Sequence, residues 1–203
     1  MKGLLNLETL SEDNIRTLKL SKERFKKPLV IILVGIPSSG KTTFSQTLSS
    51  SLPLVILSEE YMIRFLAPRA TFFEKAQTET FQLAVKTMEK LVQSGVNCIY
   101  DSSIKKKSDR NLIKNRIEKL GGTYVLIYIS IPKEVALERV SKQNFEVTRG
   151  EKKGFIMNKD LFEYEINSTQ IPLSGENHLV YEESNPESLI AIKKYLKELL
   201  KPV

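Results

Sequence analysis

Apolar residues in this chain fall into short unbroken runs, separated by longer stretches in which they recur every three or four positions. PLVIILVG (28–35) is continuous and β-branched, as in a strand buried on both faces. LPLVILS (52–58), VNCIYD (96–101), TYVLIYIS (123–130) and HLVYE (178–182) read as four further strands. Residues 42–51 read as a helix, and 68–94 as a long one with Phe81, Ala84, Met88 and Leu91 on one face and Gly95 as its terminator. A helix over 106–120 places Ile113, Ile117 and Leu120 on one side and stops at Gly121-Gly122. PKEVALERVSK (132–142) opens with a first-turn proline, and Asn185-Pro186 starts a last helix that runs to about Leu200. Ahead of the first strand, Thr9 and Glu12 have capping-box spacing, and Ile15, Leu18 and Leu20 predict a short helix after it. The division expected is an N-terminal helical appendage, 1–27, and a main domain, 28–203.

Strands alternating with helices predict an α/β fold of three layers, a mostly parallel sheet with helices on both faces. Ligands of such sheets bind at the carboxyl ends of the strands. Gly35, Ser58, Asp101 and Ser130 occupy those ends.

Composition narrows the class without choosing a function. At 203 residues, 41% hydrophobic and 27% charged, the chain can bury a core without disulfides or metals. Its one cysteine, Cys98, excludes an internal disulfide and fits a reducing compartment. MKGLLNLETLSEDN meets acidic residues too early for a secretory signal, and no apolar run approaches the ~20 residues that cross a bilayer. A cytoplasmic protein without a membrane segment is expected. The net charge is +7, with clusters in KERFKK (22–27), KKK (105–107) and RGEKK (149–153). Solvated lysine faces and attraction to polyanions both fit that charge. His178 is the only histidine and makes no metal site alone; Cys98, Tyr124 and Tyr128 read as core.

GIPSSGKT (35–42) changes the picture. It matches G-x-x-x-x-G-K-[ST] and lies between a strand and a helix. Gly35, Ile36, Pro37, Ser38, Ser39, Gly40, Lys41, Thr42 and Thr43 form the candidate phosphate loop. Backbone amides at a helix N-terminus cradle the phosphates. Lys41 supplies a point charge, Thr42 a hydroxyl for Mg²⁺ and Thr43 a further phosphate contact. A nucleoside triphosphate is the expected ligand. GTP switches carry N-K-x-D and D-x-x-G; here NKD (158–160) is followed by Leu161, and Asp101 by Ser102, Ser103 and Ile104. ATP is therefore expected over GTP.

Phosphoryl transfer asks for positioning and charge neutralisation. Asp101, closing an apolar strand, is the candidate for Mg²⁺ or its waters. LSEEYMIR (57–64) supplies carboxylates and an arginine after the second strand. Glu60, rather than Glu59 or Tyr61, is expected to take the acceptor's proton. Arg64, four residues on, is expected to hold the acceptor's anionic group. Arg139, and Arg149 in a lid at about 141–155, are expected over the phosphates. The reading is an ATP-dependent kinase acting on a hydroxyl of a nucleic-acid end or a small metabolite. The alternatives are a nucleotide-hydrolysing regulator and an ATP-binding module without transfer; the oligomeric state is left open.

From Leu29 to Pro172 the chain resembles the small P-loop kinases that include polynucleotide 5′-hydroxyl kinases, zeta toxins and chloramphenicol phosphotransferases. GIPSSGKT matches their loop, including Pro37 and Ser39. DSSIKKKSDR resembles their third-strand ending through Asp101, Ser103 and Arg110, with Ile104 in place of the usual asparagine. The resemblance implies a lid arginine at Arg139 and a late pair at Phe162-Glu163, with Pro172 displaced. It departs at the base: the family's aspartate stands three residues before the arginine, where this chain has Tyr61.

Overall fold

A computed structural model describes residues 6–66, 73–152 and 155–201. Five parallel strands form one sheet in the order β2-β3-β1-β4-β5: β1 Leu29–Val34, β2 Val55–Ser58, β3 Cys98–Asp101, β4 Thr123–Ser130 and β5 Leu179–Glu182. β1 is central and all six of its residues are buried. Its alternate side chains feed two cores. Val30, Ile32 and Val34 face one core with Leu83, Met88 and Ile113; Leu29, Ile31 and Leu33 face the other with Phe44, Leu48, Ile192 and Leu196. Helices α1 (Leu7–Arg16), α4 (Phe73–Gln93) and α5 (Lys107–Lys119) cover the first face, and α2 (Lys41–Ser49) and α8 (Pro186–Leu199) the second. The expected three-layer α/β fold is therefore the one observed. No helix among the described residues is long and apolar enough to cross a membrane.

Several boundaries differ from expectation for local reasons. α1 is capped by Asn6, whose side chain accepts from the amides of Glu8 and Thr9, so Thr9 and Glu12 lie inside the helix. Leu18 and Leu20 follow its end but still pack on the first core, and Leu10 belongs to that core. β2 starts at Val55 because the Leu52 amide closes α2 on the Leu48 carbonyl and the Leu54 amide turns back to Leu52. α3 (Glu59–Leu66) follows directly; the expected start of the next helix at Pro68 lies outside the described residues. α6 (Lys133–Thr148) runs six residues past its expected end, so residues 141–148 of the expected lid are helical. α7 (Lys159–Asn167) was not expected; Asn158 caps it by accepting from the Leu161 amide at 2.8 Å. Phe162 of α7 is buried against Ala136, Val140 and Ile36, which ties α6 and α7 to the loop after β1.

Candidate functional site

The loop after β1 is shaped by two different glycine requirements. A Cβ on Gly35 would stand 2.6 Å from Ser39 Oγ and 3.0 Å from the Ile129 carbonyl oxygen. Gly40 has φ of +92°, a left-handed conformation that disfavours a side chain. Ser38, with φ of +57°, shares that region. Left-handed residues within such a turn aim successive amides to one side, the basis of anion-binding nests. Lys41 then opens α2.

Lys41 is folded over the loop. Its ammonium donates to the carbonyl oxygens of Gly35 at 3.0 Å and Ile36 at 2.9 Å, and to Ser39 Oγ at 3.3 Å. Burial lowers its pKa to about 8, against the opposing pull of Asp101 and Glu59. Thr42 Oγ1 donates to Asp101 Oδ1 at 3.1 Å, joining the loop to the end of β3. Burial raises the Asp101 carboxyl above its ordinary range, and the Thr42 hydrogen bond and Lys41 oppose the rise. Ser103 Oγ donates to the Gly35 carbonyl at 3.0 Å and accepts from its amide at 3.3 Å.

The carboxylates after β2 separate into two environments. Glu59 turns inward, where Ser102 Oγ donates to its Oε2 at 2.6 Å. Glu60 is exposed and paired with Arg64, which is also exposed. Both carboxylates line a cleft of about 670 Å³ at the carboxyl ends of the strands. Gly35, Pro37, Ser38, Lys41, Thr42 and Asp101 line it, together with Ile104, Lys105, Phe155, Met157 and Glu165. Arg139 reaches the loop from α6: its Nη1 is 3.7 Å from the place a Gly40 Cβ would take, and its guanidinium pairs with Glu183 after β5. Arg149 is not brought in. It ends α6, pairs with Glu151 at 2.8 Å, and lies 5.4 Å from the centre of the Phe145 ring. Thr43 is exposed in the first turn of α2.

Arg110 does not reach the loop. Only 1% exposed, it donates to both carboxylate oxygens of Glu176, at 2.6 and 2.8 Å, and to the carbonyls of Ile104 and Lys105, each at 2.9 Å. It fixes the cleft wall after β3. Sequence reasoning missed Ser102, Glu165, Thr169 and Glu183. Ser102 and Glu183 stand at strand ends and could have been found by that rule. Glu165 and Thr169 belong to an unexpected helix and its end, and carried no signal.

A model of the family AAA_33, described as an AAA domain, matches residues 30–154. No curated protein matches the sequence. Among solved structures, the chain is similar to Chaetomium thermophilum Kti12 in complex with ADP-AlF3, at 14% identity and a TM-score of 0.67 over 85% of this chain and 99% of that one. It is also similar to an unliganded sugar kinase from Janibacter sp. HTCC2649, at 17% identity and a TM-score of 0.63 over 87% and 96%. A third is the Mycobacterium tuberculosis APS kinase CysC in complex with AMPPNP and APS, at 14% identity and a TM-score of 0.56 over 86% and 98%. At these identities the likeness is one of fold.

Proposed function

We propose, for a chain that belongs to the AAA_33 family of AAA domains, that it is an ATP-dependent kinase transferring the γ-phosphoryl group to a hydroxyl of a bound acceptor. The observation that carries this reading is one cleft holding the phosphate-loop lysine, the Thr42–Asp101 pair and the inward carboxylate Glu59. Binding a triphosphate needs only the first two. A further carboxylate held towards the cleft is what removal of a hydroxyl proton requires. The nucleotides named for Kti12 and the APS kinase support ATP as donor.

In this mechanism the loop amides and Lys41 hold the β- and γ-phosphates, Lys41 exchanging the Gly35 and Ile36 carbonyls for phosphate oxygens. Thr42 and Asp101 offer an adjacent hydroxyl and carboxylate, the hard oxygen donors that suit Mg²⁺, which takes few protein ligands. When bound, Mg²⁺ supplies neutralisation of phosphate charge. Arg139, beside Gly40, adds positive charge on the same side. Glu59 takes the role expected of Glu60. Ser102 occupies one of its carboxylate oxygens and fixes its direction, whereas Glu60 is held at the rim by Arg64.

An acceptor screen with labelled ATP tests the reading. Transfer to an acceptor supports it, acceptor-independent phosphate release points to a hydrolase, and binding without turnover to a binding module. Lys41→Ala is expected to lower turnover about a hundredfold to a thousandfold, the cost typical of one lost electrostatic contact to the transition state, with the circular dichroism spectrum unchanged. Turnover within about threefold of wild type would overturn the phosphate-loop assignment.

A further inference from the structure

We infer that the acceptor side of the cleft takes a small hydroxyl compound without anionic groups, neutral or amine-bearing, and not a nucleic-acid end. The inference rests on the kinase reading and adds the class of acceptor to it. Three lysines and five carboxylates line the cleft among the described residues, although the chain as a whole carries +7. Lys41 and Asp101 belong to the triphosphate and its metal. Glu60 is matched by Arg64, and Glu165 by Lys105. What remains towards the acceptor is Glu59 and Asp109 against Lys106. Asp109 takes only the Ser108 hydroxyl, at 3.3 Å, and makes no ion pair among the described residues. A phosphate or carboxylate entering here meets two carboxylates and the triphosphate. In a partly desolvated cleft such like charges repel far more strongly than in water.

The rest of the lining is uncharged, part of it polar, with Ser58, Ser103, Gln143, Asn144 and Thr169, and part apolar. Ile63, Phe81, Ile104, Phe155 and Met157 face the same space. Phe155 is 67% exposed and Ile63 38%, surface that a ligand's uncharged body would cover. A cleft of about 670 Å³ is of small-ligand size even before the triphosphate takes its share.

Of the KKK cluster, Lys105 and Lys106 line the cleft, and Lys105 is matched by Glu165; the other positive charge of the chain is placed differently. KERFKK sits where the strands begin: the Phe25 amide donates to the Gly95 carbonyl at 2.8 Å, and the Pro28 carbonyl accepts from Thr123 at 2.7 Å. At about 3.3 Å per residue, β1 puts that cluster roughly 20 Å from the phosphate loop. On α5, Lys114 is matched by Glu118 and Arg116 by Glu89. No line of unpaired cations among the described residues leads into the cleft. A nucleic-acid end, whose affinity comes largely from phosphate contacts, meets there one unmatched lysine, Lys106, against the two carboxylates Glu59 and Asp109.

The test has two arms. With ATP and Mg²⁺ present, transfer is measured to glucose and glucosamine, to glucose 6-phosphate and gluconate, and to single-stranded DNA with a 5′-hydroxyl. In parallel, lysine acylation is mapped by mass spectrometry with glucose 6-phosphate or the DNA present. Transfer is expected to favour an uncharged or amino sugar over its anionic counterpart by about tenfold or more. The DNA is expected to shield only Lys22, Lys26 and Lys27, leaving Lys106 as reactive as in the free protein. Preferred transfer to the DNA or to glucose 6-phosphate, or shielding of Lys106 by either, overturns the inference and leaves the kinase reading standing. If ATP binds and no probe is phosphorylated, the kinase reading fails. The acylation map then decides the subsite by itself: Lys106 left reactive upholds its non-anionic character, and Lys106 shielded refutes it.

Discussion

Lys41 donates to two loop carbonyls, and burial has drawn its pKa down to about 8. Phosphate oxygens favour the protonated amine, so the pKa in the nucleotide complex lies above that of the free protein. ATP affinity is then full below pH 8 and falls as pH rises through that value, by at most tenfold per unit while only the complex stays protonated. Titration calorimetry at constant Mg²⁺ across pH 7 to 9 measures this, and an affinity flat over that range contradicts it. For the acceptor's proton, Glu59→Gln is expected to lower transfer about a hundredfold with ATP affinity kept. Glu60→Gln, which removes only an exposed pair with Arg64, is expected to change it little. The reverse ranking would return the base to Glu60. The sequence pointed to Glu60, four residues before Arg64, and Glu59 is proposed here in its place. That choice depends on Ser102, 43 positions away, pointing its hydroxyl at Glu59. Cys98, by contrast, read correctly as core: it is fully buried and its thiol is pushed up to about 12, so it should resist alkylation until the protein unfolds.

Among the elements, the strands were legible because each is a short run of apolar residues, buried along its whole length in β1 and less so towards the edges of the sheet, and the phosphate loop because its spelling follows from backbone geometry. The cleft wall was not. Arg110 matched a motif position in the family's third-strand ending, and in the fold it is a strut between the end of β3 and residue 176. Only the long-range pairing with Glu176 shows that, and no local periodicity encodes it. α7 escaped because a single buried aromatic, Phe162, secures it. The strut has a measurable consequence. Arg110→Ala leaves Glu176 without its partner and two carbonyls without their donor, a loss of about 3–5 kcal/mol for a broken buried pair. Urea unfolding should show it, and a loss below about 1 kcal/mol would contradict the strut. The pair also carries a pH dependence. Arg110 holds the Glu176 carboxyl below its ordinary range, so its contribution is present above the unfolded carboxylate's pKa and is lost as pH falls through the lowered folded value. Glu176→Gln should remove that part of the acid sensitivity.

For the molecule as a whole, the question is whether residues 1–27 form an appendage or part of the domain. The family match begins at residue 30, and the sequence alone offered no reason to attach what precedes it. In the fold, α1 lies along α4, and Leu10 is 6% exposed within the same core as Val30 and Met88. Leu7, Ile15, Leu18 and Leu20 pack on that core from outside. Lys90 of α4 holds Glu8 at 3.0 Å and Glu12 at 2.7 Å, a cross-element pairing that fixes the direction of α1. Glu8 and Glu12 are exposed and Lys90 is half-buried, so these pairs add little; the apolar contacts dominate. Full burial of Leu10 alone is worth about 2 kcal/mol, and the flanking residues add to it. We propose that the segment is a structural layer of the domain and not a separate module. None of its described residues lines the cleft, so its removal should act on stability and leave nucleotide recognition in place. A chain starting at residue 28 is expected to melt several degrees lower than the full chain and to aggregate more readily through the uncovered face of α4. Its ATP affinity, measured below its melting range, is expected to stay within about threefold. Unchanged melting would show that the segment is an independent appendage. Lost ATP binding by a folded truncation would show instead that α1 supports the cleft through α4.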